Sequence, residues 1–174
     1  MFIGVGSNLG DRRNHINKAL AGVRQHIDES ARMSRLYETE PRIDEDQPAF
    51  LNAVIEATTD LPARALLGRM LELERSLGRQ RDDGRPKGPR IIDLDLLAYD
   101  QDLINEVGLT VPHPAIADRG FVLRPWAELA PLFLVAGLQS TVQALLAQCP
   151  DTGWIRPVTK RTGHKVAALG AVLA

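Results

Sequence analysis

Two acids stand in a stretch that otherwise reads as core. GPRIIDLDLLAYD, Gly88 to Asp100, sets Asp93 and Asp95 among Ile91, Ile92, Leu94, Leu96 and Leu97, and burying an unpaired carboxylate is costly. In a strand the two residues point to one face, with α-carbons roughly 6.5 Å apart at a rise of about 3.3 Å per residue. Their carboxylates therefore converge on one charge. Hard oxygen donors with no thiol and few imidazoles nearby suit magnesium, which takes one or two carboxylates together with phosphate oxygens and water. Such a pair can also bridge two ions roughly 3.5 to 4 Å apart, the clamp used for in-line phosphoryl displacement. D-x-D alone is a weak motif, and a structural salt bridge to Arg90 is the competing explanation.

The preceding run, RQRDDGRPKGPR from Arg79 to Arg90, carries five cations, two acids, two glycines and two prolines. Such a run makes no regular element. Arg79, Arg81, Arg85, Lys87 and Arg90 beside two acids suit a magnesium nucleotide, because guanidinium forks grip phosphate bidentately. The glycines and prolines would let the loop act as a lid. A solvated basic loop is the plainer reading, and its running directly into the acidic strand counts against it. VPHPAIADRGF adds His113 and Arg119; a lone histidine is more often structural than catalytic, but one beside Pro112 and close to Arg119 could reach a phosphate. Phe50 and Asn52 offer an aromatic surface and a bidentate amide to a flat heterocycle, or else simple core packing and a turn cap. Glu74 falls at the border of a buried helical face, either functional or paired with Arg75 or Arg79.

The elements that must position these residues follow from periodicity. Met1 to Val5 is a first strand, ended by GSNLGD, where Asp11 can cap a helix running to about Asp28 with Ile16, Leu20, Val23 and Ile27 in one stripe. ARMSRLYETE reads as a second strand and AFLNAVIEATT as a third, with Phe50, Asn52 and Val54 on one face. PRIDEDQP between them is a polar loop. Pro62 opens a helix bearing Leu66, Met70, Leu73 and Leu77 and stopping near Gly78. LTVPHP is a turn, DRGFVLRPWAELAP a strand-to-helix segment, and Thr141 to Gln148 a last helix. Strand, helix, two strands, helix, strand is the ferredoxin-like split βαβ order, so an α+β sandwich with an antiparallel-rich sheet is expected.

These motifs resemble those of a known family. KGPRIIDLDLL looks like the signature of the 6-hydroxymethyl-7,8-dihydropterin pyrophosphokinases of folate biosynthesis. GSNLGD, YETEP, DQPAFLNAV, LELERSLGR and VPHPAIADRGFVLRPWAELAP fall in that family's order and spacing, from Met1 to about Leu132. The resemblance implies transfer of a pyrophosphoryl group from ATP to the hydroxymethyl oxygen of the dihydropterin, with release of AMP and two Mg2+ ions as cofactors. It implies Asp93 and Asp95 as magnesium ligands, with Asp95 helping to deprotonate the hydroxyl and Arg81 and Arg90 acting in catalysis. Glu74, Arg79, Arg81, Arg90, His113 and Arg119 would lie along ATP. Phe50 and Phe121 would sandwich the pterin, with Asn52 and backbone groups near Thr39 and Arg42 reading its edge. Two positions depart from the family's pattern: Lys87 replaces a tryptophan of the lid, and Pro114 a tyrosine after the motif histidine.

Composition sets the frame. The chain has 174 residues, a formal net charge of -1 and 44% hydrophobic content, so one soluble domain over 1–174 is expected, with 150–174 a tail whose order is left open. That balance gives no global field toward nucleic acid or membrane. The single Cys149 forms no internal disulfide, and the start lacks a signal-peptide pattern, so a cytoplasmic protein is expected. With the resemblance, the expectation is a monomer acting on the small molecules ATP and 6-hydroxymethyl-7,8-dihydropterin. Two other readings stand beside the pyrophosphokinase: another two-metal phosphoryl or nucleotidyl transferase, and a small RNA-binding module of the same fold. Only 5% aromatic content counts against the latter.

Overall fold

A computed structural model of the chain describes residues 1–42, 46–79 and 88–159. Its elements run β1 (Phe2–Ser7), α1 (Arg12–His26), β2 (Arg32–Met33), β3 (Tyr37–Thr39), β4 (Phe50–Glu56), α2 (Ala63–Ser76) and β5 (Asp93–Ala98). Then come the β6 (Ile104–Glu106) and β7 (Leu109–Val111) hairpin and α3 (Gly120–Leu129). β8 (Leu134–Val135), β9 (Ser140–Thr141), α4 (Val142–Gln148) and β10 (Ile155–Pro157) complete the order. The main sheet runs β10-β3-β4-β1-β5 with β2 on the end of β4, and all of its pairs are antiparallel. The α+β class expected from periodicity is what the chain adopts.

Local chemistry explains the boundaries. Gly10 takes φ of 61°, a left-handed turn that glycine enters without strain. Asp11 then caps α1 by accepting the Asn14 N–H at 3.1 Å. Pro62 occupies the cap position of α2, and Gly78 at φ 94° ends it. The expected second strand splits in two, because Ser34 takes over local pairing: its N–H donates to the Val54 carbonyl and its hydroxyl accepts the Val54 N–H. LTVPHP is not a turn alone, since Leu109–Val111 pairs with Ile104–Glu106 as a hairpin. DRGFVLRPWAELAP forms no strand before its helix. The segment after Cys149 contributes β10, which pairs with β3 and extends the sheet edge.

Alternation sorts the strand residues onto two faces. Ile3, Val5, Leu51, Ala53, Ile55, Leu94 and Leu96 turn to one side, where they pack with Ile16, Val23, Leu66 and Met70 of α1 and α2. Phe2, Val54 and Leu97 turn to the other, where they pack with Leu123 and Trp126 of α3 and Val142 of α4. Phe2, Trp126 and Phe133 form an aromatic cluster there, with centroids 4.8 to 5.7 Å apart. Helices α3 and α4 thus cover one half of the second face. Its other half, toward Asn52, Gly6 and Asp93, is open. No helix among the described residues is long and apolar enough to cross a membrane.

Candidate functional site

The uncovered half of the sheet floors a pocket of about 500 Å³, within the range of small-molecule sites. The strand register dictates its layout. Gly6 of β1 lies opposite Asn52 on one side and Asp93 on the other, and Gly4 lies opposite Val54 and Asp95. Two rows therefore cross the sheet: Asn52, Gly6 and Asp93 in one, and Val54, Gly4 and Asp95 in the next. Two glycines in an otherwise apolar strand leave room for close approach to the backbone.

Asp93 is pinned from both sides. Arg79 pairs with its Oδ1 and Arg90 with its Oδ2, the latter at 2.7 Å. Arg79 also pairs with Glu74, and burial working against its charge is outweighed by these two acids, which hold it firmly protonated. Glu74 itself is 1% exposed and its Oε1 accepts the Leu94 N–H at 2.8 Å. The family resemblance implies Glu74 along a nucleotide, whereas the plainer reading of the residue is a pair with Arg75 or Arg79, and the pair with Arg79 forms. Here it is absent from the pocket lining and sits beneath the platform, steering Arg79 from inside the core.

Asp95 has a different environment. Its carboxyl is pushed up to about 6, first by burial and then by the neighbouring Asp93 charge, with Arg119 and Arg90 pulling the other way. Arg119 stands 4.0 Å off, and 43% of the Asp95 side chain remains exposed, so this acid faces the cavity. Two adjacent carboxylates, one of them raised, are a donor set that a hard divalent cation would relieve; among the described residues no cluster of three acids or histidines offers a closed cage. The serious alternative for the acid pair was a salt bridge to Arg90. It exists for Asp93 and not for Asp95.

The far wall is aromatic and polar. Asn52 Nδ2 donates to Thr39 Oγ1 at 2.8 Å, which fixes the plane of the amide. Phe50 carries the Arg90 guanidinium 5.2 Å from its ring centre, and Phe121 carries that of Arg119 at 5.8 Å. Arg42 reaches across to the Asp118 carbonyl at 3.0 Å. At the third side His113 accepts the Ala115 N–H on Nδ1 at 3.2 Å, leaving Nε2 as the N–H donor. Burial and then Arg119 lower its pKa, so the ring is neutral near neutral pH.

Of the thirteen residues singled out from sequence, eleven line this one pocket: Thr39, Arg42, Phe50, Asn52, Arg79, Arg90, Asp93, Asp95, His113, Arg119 and Phe121. Glu74 lies below it, and Arg81 falls outside the described residues. Sequence reasoning missed Glu40, Gln47 and Asp118, which also line the pocket. It missed Asn8 as well, whose Oδ1 accepts the Arg90 N–H at 2.7 Å and whose Nδ2 donates to Gln47 at 3.0 Å. The asparagine of GSN and the two glycines before it were the available signals.

A layered α+β chain with one polarised pocket, cations and carboxylates at one end and a flat aromatic and amide wall at the other, is built to hold a small molecule bearing anionic groups. The sequence model of 7,8-dihydro-6-hydroxymethylpterin-pyrophosphokinase (HPPK) matches residues 2–131, and the chain belongs to this family. It is 38% identical over 157 residues to the 2-amino-4-hydroxy-6-hydroxymethyldihydropteridine pyrophosphokinase of Methylorubrum extorquens, covering 87% of this chain and 94% of that one. It is 40% identical over 129 residues to the protein of the same name in Bacillus subtilis, covering 74% and 76%. The folate synthesis bifunctional protein of Arabidopsis thaliana is 41% identical over 129 residues, which cover 74% of this chain and 26% of that longer one. The chain is an enzyme, a pyrophosphokinase that transfers diphosphate groups.

Proposed function

We propose that the protein transfers the β,γ-diphosphoryl group of ATP to the hydroxymethyl oxygen of 6-hydroxymethyl-7,8-dihydropterin in folate synthesis, releasing AMP. The observation that carries this reading is the register of three strands, which sets Asn52, two glycines and the Asp93 and Asp95 pair side by side on one pocket floor. Family membership directs the chemistry toward diphosphate transfer rather than RNA binding or nucleotidyl transfer. The strand order β5-β1-β4-β3, with α1 and α2 as the crossovers, supports the finer reading of the fold as a ferredoxin-like split βαβ sandwich.

In this reading Asn52 and Thr39 bind the pterin edge, and Phe50 and Phe121 enclose its ring. Arg90, Arg119 and His113 Nε2–H line the path of the phosphates; Arg81, assigned to the same task, falls outside the described residues. The hydroxyl oxygen forms a bond to the β-phosphorus as the bond from that phosphorus to the bridging oxygen breaks, and AMP leaves with the electron pair. Asp95, which faces the cavity, helps to take the hydroxyl proton. Asp93 and Asp95 would hold Mg2+, two ions with the nucleotide, supplying charge neutralisation and alignment when bound. Arg90, just ahead of β5, and Arg119, at the start of α3, would supply the rest of the electrostatic stabilisation.

Incubation with ATP, Mg2+ and 6-hydroxymethyl-7,8-dihydropterin tests it. Stoichiometric AMP and a diphosphorylated pterin are expected. Release of ADP, or no pterin-dependent AMP, overturns it.

A further inference from the structure

The family's model ends at residue 131, yet one side chain beyond it ties two walls of the pocket together. Asp151 is 4% exposed, and its Oδ2 both pairs with the Arg42 guanidinium and accepts the Gly120 N–H at 2.8 Å, while its Oδ1 accepts the Gly153 N–H at 3.0 Å. Arg42 belongs to the wall formed by Thr39 and Glu40. Gly120 is the first residue of α3, adjacent to Arg119 and Phe121.

The contacts are tight enough to leave no slack. Helix α3 has no side-chain cap of its own at Arg119, so the Asp151 carboxylate supplies the acceptor and the negative charge that a helix start favours. A Cβ on Gly120 would lie 3.1 Å from Asp151 Oδ2 and 3.0 Å from Ile155, and one on Gly153 would lie 2.5 Å from Glu40 Oε1. Segments 40–42, 118–120 and 151–153 therefore interlock. Strand β10 holds the clamp in register, with Ile155 opposite Thr39, the residue that fixes the Asn52 amide.

We propose that Asp151 is a positioning residue: it locks the Arg42 wall to the start of α3, so that Thr39, Asn52 and Phe121 face each other at a fixed distance. The C-terminal segment is thereby part of the binding site without touching the substrate. This rests on the reading of that end of the pocket as the pterin side.

The test uses Asp151→Asn, which keeps an amide oxygen for the helix cap but loses the charge facing Arg42, and Arg42→Gln, which breaks the same pair from the other wall. Hydrogen exchange without substrate should rise roughly tenfold in both segments 39–42 and 119–122 of either variant, while β1 and β5 stay protected. In turnover, KM for the pterin should rise about tenfold, with kcat and KM for ATP changed by less than about twofold, and the double variant should match the singles. Exchange gains confined to 150–157, additive effects of the two substitutions, or a fall in kcat equal to the rise in KM would each overturn the proposal. Exchange is read on the free protein, so a wild type that releases no AMP overturns the proposed activity alone.

Discussion

Asp95→Asn should stabilise the metal-free protein while removing its activity. The Asp95 carboxyl titrates at about 6 against an ordinary value of 3.8, because burial and the Asp93 charge disfavour its ionised form. The folded state therefore binds more protons than the unfolded state between those two pH values. This group's contribution to stability is complete below about 3.8 and is lost as pH rises through about 6. A shift of about two units corresponds to roughly 3 kcal/mol at 1.36 kcal/mol per unit. The side chain keeps 43% exposure, so water screens it, and about 1 kcal/mol is the figure to carry forward.

An asparagine carries no such penalty. For a chain of this size about 1 kcal/mol moves Tm by roughly 2 to 4 °C. Thermal unfolding in EDTA should show the variant higher by that amount near about pH 7.5, with the gap closing toward about pH 4. Turnover should fall by at least about a thousandfold, the scale of losing a group that acts on the transition state. Added Mg2+ should raise the wild-type Tm and leave that of the variant nearly unchanged. A variant equally or less stable than wild type at neutral pH would refute the account of Asp95 as an acid held at a cost.

Glu74→Ala removes a buried charge that pairs with Arg79 and accepts the Leu94 N–H; urea denaturation should show a loss of about 3 kcal/mol, the scale of stripping one partner from a buried pair. Gly6→Ala places a methyl 2.7 Å from Asn52 Oδ1, so the amide must swing away. Calorimetry should show pterin affinity reduced at least about tenfold and nucleotide affinity within about twofold, a split that an overall folding defect would not produce. The His113 ring should titrate below its ordinary 6.5 by NMR, and Arg119→Ala should raise the midpoint by removing the second of its two depressing influences. An unchanged midpoint would place the arginine outside the histidine's field.

The sheet was legible because alternation and helical stripes are local signals. Phe50, Asn52 and Val54 do share a face, and Ile92, Leu94 and Leu96 do pack together while Asp93 and Asp95 turn away. The parts that were not legible depend on partners far along the chain. Glu74 reads as a border residue on its own helix, and only the approach of β5 shows that its carboxylate meets a backbone N–H from Leu94. Ser34 ends a strand through a hydroxyl aimed at Val54, twenty residues on. Asp151 in PDTGW looks like a turn acid, and nothing nearby in sequence announces that Arg42 and Gly120 converge on it.

Geometry then sets what the pocket can accept. Asn52 and Asp93 face each other across one intervening strand, two interstrand spacings of about 4.8 Å, so the reading amide and the acid platform stand roughly 10 Å apart at the backbone. In the proposed reading, that span takes a bicyclic heterocycle held by its far edge with a one-carbon arm over the carboxylates. A side chain at position 4 or 6 would fill it, since a methyl at position 4 already meets Leu97 at 3.3 Å. The bare strand thus acts as a ruler: a pterin lacking the hydroxymethyl arm should bind the amide end as a competitive inhibitor and release no AMP. If instead the armless pterin supported AMP release at a rate near that of the substrate, the acids and the amide would be serving separate ligands, and the shared floor would have no role in aligning the reaction.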